Sequence, residues 1–433
     1  LYYNIFFELY TCFLYIRFCD IIFYNVLNKG AKIMFEKNSG ITKPMGFVAA
    51  GVVAGIKKNH EPDLALLVSQ EPCIAAGLFT KNSVKGHALK LSMEHINNKS
   101  TKAVVINSGN ANACNGKRGV QDAVLMAGET AKATGCDIKE VLLGSTGVIG
   151  VPLNMDKIKN GINTAATELR ASGGNDAAKA IMTTDTHEKE YSVQFEINNR
   201  MVTIGGMAKG SGMIHPNMAT MISVLTTDAN INKKALDTAL RSAARKSFNR
   251  ISVDGDTSVC DMVIILANGL ADNDEIQEDS ESFKVFCSKL DELCIALSKM
   301  LVTDGEGATK LIEINVVNAK TGEDAFKAVN SIAKSPLVKT AFFGEDANWG
   351  RLITALGYSG AEFNPETVDM KIGDMYFCKN GGSVEFDEYK AKKILIEKEI
   401  TVTIDLNDGN CSDRIWTCDL SDDYVEINGS YRT

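Results

Sequence analysis

Apolar and small residues fall in short runs divided by Gly, Asn and Asp along the chain. The first clear run, GFVAAGVVAGI at 46–56, suits a buried strand pair with a Gly-marked turn. Strand-like runs follow at 64–69 and 75–79, then KAVVINS at 102–108, which ends in the polar loop GNANACNG. Val124, Leu125, Ala127 and Ala131 then recur at helical spacing and predict a helix over 121–133. VLLGSTGVIGVPL at 141–153 opens as a strand, and a helix is predicted around 158–169. AAKAIMTTDT at 177–186 ends a helix or strand in four hydroxyl- or acid-bearing side chains. A helix over 233–246, a strand over 262–267 and a helix over 283–301 come next, before the loop-to-strand passage VTDGEGATKLIEINVVN. The remainder reads as short strands alternating with polar turns, finishing at YVEINGSYRT. Strand, polar loop and helix in succession indicate an α/β layer architecture.

At 433 residues the chain exceeds one ordinary core, so several domains or one large layered body are expected. Its net charge of −8 argues against a nucleic-acid partner, which needs clustered Lys and Arg, and favours small-molecule work. The 11 cysteines show no zinc spacing and read as reduced intracellular thiols. The first 33 residues are crowded with aromatics, yet Glu8, Arg17 and Asp20 interrupt any membrane-spanning stretch. Met34 is the expected native start and 1–33 a leader outside it, with a membrane anchor as the rival reading.

Four motifs invite chemistry. GSTGVIG at 144–150 is spaced G-x-x-G-x-x-G rather than as a dinucleotide fingerprint, and its glycines suit a tight turn or amides presented to an oxyanion. KGSG at 209–212 is no P-loop, because Lys209 precedes the glycines. VDGDTSVCD, with Asp254, Asp256 and Asp261, lacks the Gly and Glu of a calcium loop and reads as a solvated turn or as hydrogen bonding around a neighbouring site. The fourth, KGSGMIHPNMATMISVLTTDA at 209–229, joins a Gly-rich loop to an apolar strand at Ala219-Thr220. Thr is a weak nucleophile without a base. Cleavage before Thr220 would place an α-amine of ordinary pKa about 7.7–8.0 on the same residue, a suitable general base. On these residues alone an ordinary strand-initiating Thr remains the rival.

Taken together, STGVIG, MTTDT, AKGSGMIHPNMATM, DGEGATK, FGEDANWGR and the terminal YVEINGSYRT closely resemble the ornithine acetyltransferase family, from about Ile41 to Thr433. The resemblance implies a layered α-β-β-α fold of mixed sheets flanked by helices. It also implies self-cleavage between Ala219 and Thr220, giving an α chain, 34–219, and a β chain, 220–433. Two of each would assemble into a heterotetramer in the cytoplasm. The implied reaction moves acetyl from N-acetylornithine to glutamate through an ester on Thr220, with acetyl-CoA as a second donor in some members. No metal or organic cofactor is required. Carried over by position, Thr146 and Gly147 are the oxyanion-hole pair, and Thr183, Lys209, Thr220, Glu306, Asn428 and Thr433 bind substrate. The chain departs from the family in DGDTSVCDM and in the bulky RIWTCDL around Trp416. Rival functions are an N-terminal-nucleophile amidohydrolase or aminopeptidase, in which water resolves the acyl-enzyme, and an uncleaved NAD-binding module using GSTGVIG.

Overall fold

The computed structural model describes residues 40–215 and 221–430. The expectations for 1–33 and Met34 lie outside these residues, as do those for Ala219, Thr220 and Thr433.

A mixed sheet is built from β1 (Phe47–Val52), β2 (Leu64–Phe79), β3 (Thr101–Asn110), β4 (Val141–Val148), β5 (Lys189–Ile197), β6 (Arg200–Lys209), β7 (Ile222–Thr227) and β9 (Met262–Ala267). Its order is β4-β3-β2-β9-β7-β6-β5, with β1 pairing β2. Two pairs, β3 with β4 and β7 with β9, are parallel, and the others are antiparallel. The two strands predicted at 64–69 and 75–79 are one long strand. Its first half pairs with β1 and β3 and its second with β9, with a register irregularity between Val68 and Cys73. Polar residues in SQEP mark that irregularity rather than a break.

The strand pair predicted at 46–56 is also revised. Only β1 is a strand, because the buried Asp63 carboxylate takes the amides of Ala54, Ile56 and Lys57 at 2.6, 2.5 and 2.9 Å and bends the following chain into a loop.

Helices α1 (His87–His95), α2 (Gly116–Thr134), α3 (Met155–Thr167), α4 (Gly174–Ala180), α5 (Lys233–Lys246) and α6 (Glu281–Thr303) accompany this sheet. The last two begin at side-chain caps. Asn232 accepts from the Ala235 amide and Ser280 from that of Phe283, satisfying donors that a helix start leaves orphaned. In α6, Leu290, Leu293, Leu297 and Leu301 follow helical spacing and are fully buried, against a core shared with Ile204, Leu225 and Ile265 of the sheet.

The second mixed sheet contains β8 (Ile251–Ser252), β10 (Leu311–Ala319), β11 (Asp369–Ile372), β12 (Met375–Lys379), β13 (Gly382–Ser383), β14 (Glu399–Asp405) and β15 (Cys411–Cys418). Its order is β13-β12-β11-β14-β10-β15-β8. Helices α7 (Gly322–Lys334), α8 (Pro336–Phe343), α9 (Trp349–Gly357), α10 (Glu388–Leu395) and α11 (Asp422–Ser430) flank it or follow it in the chain. The fold class is therefore the expected one, mixed sheets flanked by helices. The reading of this half as strands and turns alone is corrected. Thr321 caps α7, and Ala325, Ala328, Val329 and Ile332 form a buried stripe at helical spacing. Trp416 is accommodated in the fold: it is buried, its Nε1 donates to Glu313 Oε2 at 2.8 Å, and Arg414 lies over its ring.

Candidate active site

Six of the residues named from sequence, Thr146, Gly147, Thr183, Lys209, Glu306 and Asn428, line one cavity of about 270 Å³. They come from distant parts of the chain, and different physical constraints hold each in place.

Thr146 and Gly147 lie near the end of β4, where it runs beside β3. Gly147 has φ +123°, and a Cβ there would stand 2.4 Å from the Gly109 carbonyl carbon. Only glycine lets the two backbones approach so closely. GSTG is thus part of a strand rather than a turn opening a helix, and α3 starts only at Met155, which removes the structural basis of the NAD-binding reading.

Lys209 ends β6 opposite Ile222 of β7 and is buried. Its Nζ donates to Thr183 Oγ1 at 2.7 Å, lies 3.5 Å from Thr146 Oγ1, and is 3.9 Å from Asp185 Oδ2. Burial lowers the Lys209 pKa, and Asp185 opposes that shift. Beneath it lies a network that sequence reading missed. Lys189 Nζ donates to Asp185 Oδ1 at 2.7 Å and to Asp304 Oδ2 at 2.5 Å. Burial works to raise the Asp185 pKa, but Lys189 and then Lys209 outweigh it and hold the carboxyl well below the usual carboxylate range. These buried charges are matched, so the network holds Lys209 in place without an unpaired ion.

The following loop is fixed by carboxylates. The Gly210 amide donates to Asp185 Oδ1 at 2.7 Å, and those of Met213 and Ile214 donate to Asp254 at 2.5 and 2.9 Å. Ser211 Oγ donates to the Asp304 carbonyl at 2.6 Å, and the Glu306 amide to the Ser211 carbonyl at 3.1 Å. Gly212 leaves room for the Glu306 carboxylate, whose Oε2 would stand 2.3 Å from an added Cβ. Asp254 thus serves as hydrogen bonding around a neighbouring site, one of the two roles allowed for VDGDTSVCD.

From the far end of the chain, α11 contributes Asn428 and Tyr424 to the lining, and Asn428 Nδ2 donates to Glu306 Oε2 at 2.8 Å. Sequence reasoning did not single out Asp185, Lys189, Asp304 or Tyr424. Asp185 stands inside the quoted MTTDT, so a signal for it was present. Among the described residues no group of three His, Cys, Asp or Glu is placed to hold a metal ion, and no helix is long and apolar enough to cross a membrane.

A buried cation beside an acid, hydroxyls and a close-packed glycine, around a cavity this small, has the character of an enzyme site for a small polar molecule. The ArgJ family model matches residues 48–433. An arginine biosynthesis bifunctional protein ArgJ from Symbiobacterium thermophilum is 52% identical over 91% of this chain and 98% of its own length. A solved ArgJ structure from Bacillus halodurans is 43% identical, covering 48% of this chain and 97% of that one with a TM-score of 0.46. An ornithine acetyltransferase from Mycobacterium tuberculosis, solved in complex with ornithine, is 37% identical, covering 42% of this chain and 96% of that one with a TM-score of 0.38. The chain belongs to the ArgJ family, the ornithine acetyltransferase family of arginine biosynthesis, and is a glutamate N-acetyltransferase by class.

Proposed function

We propose that the chain cleaves itself between Ala219 and Thr220 and then transfers acetyl from N2-acetylornithine to L-glutamate through an ester on Thr220. The Thr220 hydroxyl attacks the acetyl carbonyl while its own α-amine takes the proton. The amides at Thr146 and Gly147 stabilise the tetrahedral anion, a contribution of about 3 kcal/mol per donor. Collapse breaks the C–N bond, and ornithine leaves with that proton. The glutamate amine then attacks the ester and restores the free hydroxyl. Lys209 faces the carboxylate common to both amino acids, and Glu306 faces the ammonium of ornithine. Thr183 and Asn428 orient these two charged groups, with Thr433 as a further substrate contact. Two α and two β chains form the working assembly, in the cytoplasm, without a metal or organic cofactor.

The observation that carries this reading is the convergence of six motif residues on one small cavity. The pairing of β6 with β7 supports it, because a cut between these strands leaves both new chains in one sheet. Intact mass spectrometry of the wild type beside Thr220→Ala tests it. Two wild-type fragments meeting at Ala219 and Thr220, with an uncut variant, are expected; a single intact wild-type chain overturns it. Acetyl transfer to glutamate in competition with hydrolysis separates it from an amidohydrolase.

A further inference from the structure

A second cavity, of about 940 Å³, adjoins the first, and Ile149 and Thr183 line both. Its lining carries Lys57, Lys58 and Lys157 and no carboxylate, in a chain whose net charge is −8. The lysines are mounted on fixed backbone. The loop bearing Lys57 and Lys58 is pinned from below by Asp63, which accepts amides of Ala54, Ile56 and Lys57. Lys57 Nζ donates to the Pro62 carbonyl at 2.9 Å, and Lys157 Nζ donates to the Gly55 carbonyl. Each of these ammonium groups keeps further protons for a ligand.

Three ammonium groups around one groove select an anionic ligand. N-acetylornithine does not fit that description, since its free ammonium is repelled there, whereas the first cavity offers it the Glu306 carboxylate. An acyl thioester on a long arm that ends in phosphates does. Its acyl group would enter the small cavity past Ile149 and Thr183 while its phosphates meet the lysines. We propose that the Lys57–Lys58–Lys157 groove is the phosphate subsite for a coenzyme A thioester donor, a role that rests on the acetyl-transfer reading above. Burial lowers the Lys57 pKa against the opposing pull of Glu61 and Asp63, a cost that a bound phosphate would offset.

The test uses the full chain carrying Lys58→Glu or Lys157→Gln. Coenzyme A without an acyl group is titrated by calorimetry, and acetyl transfer to glutamate is measured with acetyl-CoA and, separately, with N-acetylornithine. The expected result is a rise of about tenfold or more in both the coenzyme A Kd and the acetyl-CoA KM. N-acetylornithine kinetics stay unchanged, which also shows that the variants fold. Unchanged coenzyme A binding overturns the proposal, as does a wild type that uses N-acetylornithine but binds no coenzyme A. Equal losses with both donors, or a raised glutamate KM with either, also overturn it by assigning the lysines to the fold or to the acceptor. A wild type that transfers acetyl from neither donor sinks the acetyl-transfer reading instead, and the calorimetry still reports on the groove.

Discussion

Asn428 Nδ2 donates to Glu306 Oε2 at 2.8 Å, although 122 residues separate them. The last helix therefore fixes the orientation of the carboxylate in the cavity. Asn428→Ala should raise the N-acetylornithine KM about three- to tenfold, as expected for losing one half-buried hydrogen bond to a charged group. Thermal stability should barely change, because Asn428 is exposed. Steady-state kinetics beside a melting curve check both; an unchanged KM removes this pair from substrate binding.

Lys209→Met deletes the buried ammonium but leaves Asp185 paired with Lys189. The remaining ion pair should keep the protein folded, whereas removing the only partner of a buried charge costs about 3–5 kcal/mol. Substrate use should fall by about a hundredfold, the equivalent of roughly 3 kcal/mol of lost charge-assisted bonding. Kinetics with N-acetylornithine that match the wild type would exclude Lys209 from the site.

Gly147→Ala forces a methyl group against the Gly109 backbone at a φ that side chains rarely adopt. If the neighbouring amides form the oxyanion hole, kcat should drop about 10²–10³-fold with a much smaller change in KM. A drop in KM alone, or no kinetic change in a stable variant, contradicts that role.

Asp254→Ala leaves the Met213 and Ile214 amides without their carboxylate acceptor. Met213 already sits at φ +58°, so this turn depends on its anchors. Self-cleavage downstream should slow, and freshly purified variant should contain more uncut chain than wild type on a denaturing gel. Full processing at the wild-type rate would show that this anchor is dispensable.

Acid sensitivity follows from His215, whose pKa is pushed from 6.5 down to about 4 by burial and then by Lys334. The unfolded chain binds this proton more readily than the folded one. Its contribution to stability is thus fully present above pH 6.5 and is lost as pH falls through that value towards about 4. Denaturation midpoints measured across this window should decline less for His215→Gln than for wild type. Parallel curves would mean that His215 is not held neutral in the fold.

Local sequence determined the elements with strong periodicity or caps. The helix read over 233–246 is found at those limits, and so is the strand over 262–267, because an amphipathic stripe and a short apolar run are consequences of nearest neighbours alone. The motif words also brought out the cavity residues by resemblance, one by one. What they did not disclose was how the support beneath them is paired, even though MTTDT and DGEGATK contain Asp185 and Asp304. Asp185, Lys189 and Asp304 act through partners up to 118 residues away, and a charged side chain reads as solvated until the fold buries it. Likewise β2 reads as two strands until β3 on one part and β9 on the other make it one. Spacing along the chain sets which face a residue takes, but the tertiary fold decides which charges meet out of water, and there their interaction is strong enough to shape a site.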